Sequence, residues 1–171
     1  MAANRAYLIA GGILLVGGAA GIAYYIYVIR QPKSAIDYIR IRPVGGDNVV
    51  VAAMVRNVGR ANGYFKIQAL IVPTDCPYQG SEGYPPTGGA NWMNIANWIA
   101  SQGKGVWAGF EPDQGFQPIA PGQSAELTTP PVPLPKGTYN IYVNAAVSKS
   151  GKSKDRLLNR EYYKWVTGYS V

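Results

Sequence analysis

The chain has no histidine and a single cysteine among its 171 residues. Without imidazole there is no Ser-His-Asp or Cys-His catalytic arrangement within this subunit, and no His-ligated zinc, copper or haem. Cys76 has no second thiol to meet, which excludes an internal disulfide, a CxxC redox pair and an iron–sulfur ligand set. Charge is scarce as well. Only 15% of the residues are charged, against roughly 25% in an average soluble protein. Acids are the scarcer sign, 9 against 16 basic residues. The closest acids in the middle of the chain, Glu111 and Asp113, stand two positions apart, whereas a glycosidase needs two carboxylates facing each other across a cleft. Gly151-Lys152-Ser153 lacks the upstream glycine and the strand-to-helix setting of a phosphate-binding loop. The expectation is a protein that is not an enzyme, with no cofactor and no metal.

What the chain does have is an apolar front. Residues 7–29 read YLIAGGILLVGGAAGIAYYIYVI, without one charge. As a helix they would extend about 34 Å, enough for a hydrocarbon core of about 30 Å. Arg5 closes one end and Arg30 with Lys33 the other, and Tyr7, Tyr24, Tyr25 and Tyr27 stand where aromatic rings favour the headgroup zone. The stretch outlasts the 7–15 apolar residues usual in a secretory signal, so an uncleaved single-pass anchor is expected. Gly17 and Gly21, with Ala19 and Ala23, form two small-residue pairs four apart, which let helix backbones approach closely in lipid. They are the candidate helix-packing residues. The lipid bilayer and other membrane or envelope subunits, copies of this chain included, are the expected partners. Nearby Lys and Arg favour a cytoplasmic main domain, but large domains translocate regardless of such charges. The C-terminal domain is expected on the outer face.

Beyond Pro32 the pattern changes to strands. Residues 36–42 (IDYIRIR) alternate, 49–56 (VVVAAMVR) are rich in β-branched side chains, and 64–72 (YFKIQALIV) set Phe65, Ile67, Ala69 and Ile71 opposite Lys66 and Gln68. Pro73 stops the third run. Further strands are expected over 124–129, 138–148 and 161–171, with Trp165 of the last packed inside. Short strands, turn signals and no long helix after the front predict a mainly β protein: an N-terminal transmembrane helix with short flanks (1–33) and an antiparallel β-sandwich (34–171) with a long, partly helical insertion (74–120).

The Arg56-Asn57-Val58-Gly59 junction between two apolar strands, the Ile119-Ala120-Pro121-Gly122-Gln123-Ser124 turn and Leu134-Pro135-Lys136-Gly137-Thr138-Tyr139 together resemble a CARDB-type domain. That family is the cell-adhesion-related immunoglobulin-like module of bacterial and archaeal surface proteins. The likeness covers about 75 residues in two blocks; it implies an immunoglobulin-like sandwich and, more loosely, a role at the cell surface. The 47-residue insertion departs from the family's short connection. A connection that long carries structure or function of its own.

Within the insertion, Trp92, Ile95, Ala96 and Ile99 fall at helical spacing, predicting an amphipathic helix near 91–100. Trp92, Trp98 and Trp107 are candidate interaction residues, as protein contacts or a glycan platform, set against the alternative of a satellite core under the loop. A basic tip follows the 138–148 strand. Residues 149–164 carry six basic and two acidic side chains, whereas residues 67–148 carry two lysines and five acids. Lys149, Lys152, Lys154 and Arg156 are therefore candidates for docking to an acidic neighbour, or a solvated turn. Aromatic interleaving and a recognition element are lacking, so nucleic acid is not expected. Simple reversal of successive strands puts Arg56 and Arg60 at the membrane-near end, and the insertion and basic tip at the opposite end. The composite expectation is a non-enzymatic, membrane-anchored structural or interaction protein of an envelope assembly: a cell surface, a filament or a membrane-containing virion. The alternatives are an accessory subunit of a membrane enzyme complex and a glycan-binding surface module.

Overall fold

The computed structural model describes residues 21, 30–74 and 105–171. The chain divides into two compact units, Met1–Gln31 and Pro32–Val171. Of the apolar front only Gly21 is described; it is helical and exposed, with nothing within 4 Å of where a Cβ would stand. Gly17, Ala19, Ala23, Trp92, Trp98 and the helix expected near 91–100 lie outside the described residues. Among the described residues no helix is long and apolar enough to cross a membrane.

The alternating segments of the second unit become strands because period-2 patterning gives each one apolar face to bury. β1 (Ser34–Gly45), β2 (Asn48–Asn57) and β6 (Ser124–Thr128) form one antiparallel sheet in the order β1-β2-β6, with β7 (Val132–Pro133) also on β2. The second sheet runs β4-β3-β8-β9, from β4 (Val106–Ala108), β3 (Gly63–Pro73), β8 (Thr138–Ser148) and β9 (Tyr162–Ser170). β5 (Gln117–Ile119) shares the β4 side of β3. Val51, Ala53, Val55 and Leu127 of the first sheet meet Phe65, Ile67, Ile71, Ile141 and Val143 of the second in one core. Each larger side chain there contributes roughly 1.5–3 kcal/mol of burial. Six expected strands are present within three residues of their expected bounds; the short β4, β5 and β7 are additions.

Two expectations need correction, and one strand face adds a feature that alternation left open. Lys66 and Gln68 lie on the face of β3 away from the core, as alternation requires, yet are only 2% and 3% exposed. Leu70, Val72, Tyr142, Asn144 and Ala146 share that face and are buried too. β3 and β8 are thus covered on both faces, the situation of an inner layer. Trp165 is not a core residue: it pairs in register with Tyr142 on the outward face and stays 42% exposed.

The second correction concerns the ends. β4 pairs Val106 with Ile71, and β5 pairs Ile119 with Gly63, so the chain descends beside β3 after leaving it at Pro73. That descent adds one reversal. β6 therefore starts beside Arg56, and β8 ends with Ser148 opposite Tyr64. The basic tip consequently lies at the same end as Pro32, Asn57 and Arg60, the end where the chain enters the sandwich, not the opposite one. The insertion departs at the far end and returns at the entry end.

Candidate interaction surface

Asn57 organises the entry end. Its side chain is fully buried and uses its whole hydrogen-bonding capacity. Nδ2 donates to the carbonyls of Ala61 (2.8 Å) and Ile119 (2.9 Å), while Oδ1 accepts from the amides of Lys33 (3.3 Å) and Gly59 (3.0 Å). The Asn-x-Gly spacing in Arg56-Asn57-Val58-Gly59 thereby acquires a physical role: the loop folds back so that Gly59 donates to Asn57. Backbone bonds from Val58 N to Lys33 O (2.8 Å) and from Gly122 N to Asn57 O (2.8 Å) tie three loops together. Gly63 sits so close to Pro32 that an added Cβ would stand 2.4 Å from the proline Cβ. The first residues of the unit are fixed against the sandwich.

The tip between β8 and β9 is more than a hairpin. It contains two short 3-10 turns, Ser153–Asp155 and Leu158–Arg160, and Ser148 bridges to Arg156 across its base. The Ser148 hydroxyl donates to Lys152 O (2.8 Å) and accepts from Gly151 N (3.1 Å). Lys149, Lys152 and Lys154 are exposed. Arg156 is not: its guanidinium grips the wholly buried Glu161 carboxylate through Nε (2.9 Å) and Nη2 (2.8 Å). Such bidentate pairs fix geometry as well as charge. Of the four expected basic candidates, three therefore face outward and one holds the tip down.

Glu161 continues inward. Its Oε2 accepts from Asn144 Nδ2 (2.8 Å) and from the Tyr163 hydroxyl (3.3 Å), and Asn144 Nδ2 also donates to Gln68 Oε1 (3.2 Å). Burial, then the Glu161 charge, pushes the Tyr163 hydroxyl up to about 12. On the other side of Gln68, Lys66 Nζ donates to Glu111 O (2.7 Å) and lies 4.9 Å from the centre of the Phe116 ring. Burial, then the Arg156 cation, holds the Lys66 pKa below the ordinary lysine value. A second latch joins the loop between β4 and β5 to the tip: Asp113 N donates to Ser153 Oγ (3.1 Å) and Ser153 N donates back to Asp113 Oδ1 (2.5 Å). The Ser153 amide, chiefly, holds the Asp113 carboxyl below its usual range. Composition alone did not reveal this polar layer. Its signal was register: Lys66 and Gln68 share a face with Asn144 and Ser148 one strand away.

Trp107 is half-buried on β4, its ring edge-to-face with Phe110 at 4.8 Å and 83°. It is not brought together with the tip lysines by any contact described. A cleft of about 330 Å³ opens beside Lys66, with Glu111, Gln114, Gln117 and Thr128 among its walls. The Asp113 carboxylate is engaged by the Ser153 amide, whereas Lys66 holds the backbone carbonyl of Glu111. Among the described residues no three acids or thiols converge as metal ligands would. The arrangement offers contacts and fixed charges. No family model matches this chain, and no curated protein does.

Proposed function

We propose that the protein is a non-enzymatic, membrane-anchored structural component of an envelope assembly, in which residues 7–29 hold an immunoglobulin-like head at a bilayer. The observation that carries the reading is the pairing of a 23-residue uncharged run with an all-strand unit. Buried polar side chains of that unit, Asn57 and Ser148 among them, fix loops. The immunoglobulin-like assignment is supported by strand order: β1-β2-β6 and β4-β3-β8-β9 follow the A-B-E and C-F-G neighbours of that fold, with β4 on the free side of C. It is supported also by Tyr139, at the start of β8, whose hydroxyl donates to Pro135 O (2.7 Å), the corner contact typical of such sandwiches. Fold alone does not give function. The small-residue pairs Gly17/Gly21 and Ala19/Ala23 supply the means of helix association.

The test is chemical cross-linking in native membranes followed by native mass spectrometry in mild detergent. Ordered oligomers of this chain, or a fixed stoichiometry with other envelope subunits, are expected. A strictly monomeric chain refutes the assembly, and co-purification with cofactor-bearing subunits replaces it by the accessory-subunit reading.

A further inference from the structure

We infer that the chain-entry end of the sandwich is a docking surface for anionic phospholipid headgroups. The inference rests on the membrane-anchored reading and adds to it a second, peripheral contact made by the head itself.

Two independent properties coincide at this end. The first is charge. Lys33, the 57–62 loop, the 119–123 turn and the 149–161 tip carry seven basic side chains, against Asp155, Glu161 and, from the adjoining β4–β5 loop, Glu111 and the latched Asp113. Arg156 is spent on Glu161, but Lys33, Arg60, Lys149, Lys152 and Lys154 are exposed. At the far end the turns of the described residues hold one acid, Asp47, and one base, Lys136. Among the described residues, basic charge is thus concentrated at the entry end. The second property is exposed apolar surface. Among the described residues seven large hydrophobic side chains are exposed, and four of them, Val58, Tyr64, Leu158 and Tyr162, belong to the entry end. Leu158 is the most exposed of all, at 63%, on the short 3-10 turn of the tip.

Lysines interleaved with tyrosine and aliphatic side chains are the composition of a membrane interface, where rings and methyls enter the headgroup zone and ammonium groups meet lipid phosphates. Covalent reach supplies the occupant. Residue 29 ends the uncharged run and Pro32 is already fixed in the sandwich, leaving two residues between them, three Cα steps or about 10 Å when extended. A head held that close to a bilayer meets it with the surface around Pro32. An acidic protein would satisfy the lysines but gives no reason for Leu158 and Tyr162 to be bare.

The test uses the full chain in vesicles of phosphatidylcholine alone, or with roughly a third phosphatidylglycerol. Lysine acetylation is read by peptide mass spectrometry, with Lys136 as the internal reference. On anionic vesicles Lys152 and Lys154 should react at least about fivefold more slowly relative to Lys136 than on phosphatidylcholine, since one lysine near an anionic surface gains about that factor. Roughly 0.5 M salt should abolish the difference by screening. In a K152E/K154E chain the protection of Lys149 should fall as well. A ratio that anionic lipid leaves unchanged overturns the surface. Resistance to alkaline extraction is scored separately: an extracted chain that keeps the protection retains this surface and removes the span, whereas an inserted chain with an unchanged ratio does the reverse.

Discussion

Glu161→Gln is the sharpest perturbation of the polar layer beneath the tip, because it removes charge while keeping shape. The carboxylate is wholly buried and accepts from Arg156 twice, from Asn144 and from Tyr163. A glutamine has one acceptor oxygen, so its amide nitrogen must face a donor in either orientation. Removing one partner of a buried pair costs about 3–5 kcal/mol. The Arg156 side chain is 24% exposed, so water can take up part of its charge, and Asn144 keeps Gln68. The expected loss is therefore at the lower limit, about 3 kcal/mol. For a unit of this size that lowers Tm by about 10 °C. The assay is thermal unfolding of the full chain in mild detergent, followed by near-ultraviolet circular dichroism. Arg156→Met and the double variant complete a cycle whose coupling should exceed about 1 kcal/mol. Glu161→Gln alone should be worse than the double variant, since replacing Arg156 by Met removes the cation that Glu161→Gln leaves without its carboxylate. A Tm change under about 3 °C, the range of exposed ion pairs, would refute the claim that Glu161 anchors the tip.

Asn57→Asp removes both Nδ2 donors and buries a charge beside the carbonyls of Ala61 and Ile119. It should destabilise by about 3 kcal/mol in the same assay and loosen the 57–62 loop to proteolysis. Gly109→Ala should be equally harmful: the residue has φ +77° and an added Cβ would stand 2.4 Å from Ile67 O, so both backbone strain and a clash with a fixed carbonyl oppose it. Tyr163 predicts an alkaline effect of defined sign. Its folded pKa is raised from 10.0 to about 12, so the folded state holds this proton more tightly than the unfolded chain. Its contribution to stability is complete below pH 10 and is lost as pH rises towards 12. Against wild type, Tyr163→Phe should unfold with a shallower fall in Tm over that window; an identical slope in both proteins would remove Tyr163 from the network.

Much of the fold was legible because β-strands announce themselves by alternation. Val49, Val51, Ala53 and Val55, like Phe65, Ile67, Ala69 and Ile71, fall on the core face that their period assigns them. Turn residues marked the breaks, and the Asn57 loop was marked by its own sequence. Pairing across distance was not legible. β4, β5 and β7 have two or three residues each, too few to show a period, and Pro118 and Pro133 stand in two of them as edge positions allow. Nor does alternation say whether the second face meets water. Alternation put Lys66 and Gln68 on the face opposite the core, and only their register with Asn144 and Ala146 reveals that this face is a buried layer.

The short strands decide the orientation of the whole candidate surface. Omitting the β4–β5 descent leaves one reversal too few, and every later strand then points the wrong way. The basic tip moves to the end remote from Pro32, where its charge would have to seek an acidic protein. With the descent included, Ser148 lies opposite Tyr64, and the tip stands over the loops that Asn57 binds to Lys33. Pro32 then shares its end with Lys149, Lys152 and Lys154. The end at which the tip lies is set by the antiparallel pairings of β3 with β5 and β8, whatever the side-chain detail. An engineered disulfide joining position 64 to position 148, directly opposite in that ladder, tests it. Built in a Cys76→Ser background, the Tyr64→Cys/Ser148→Cys chain should oxidise to an intramolecular bridge and migrate faster on non-reducing gels. Failure to close, with free thiols in a folded chain, would return the tip to the far end and remove the geometric basis for lipid docking.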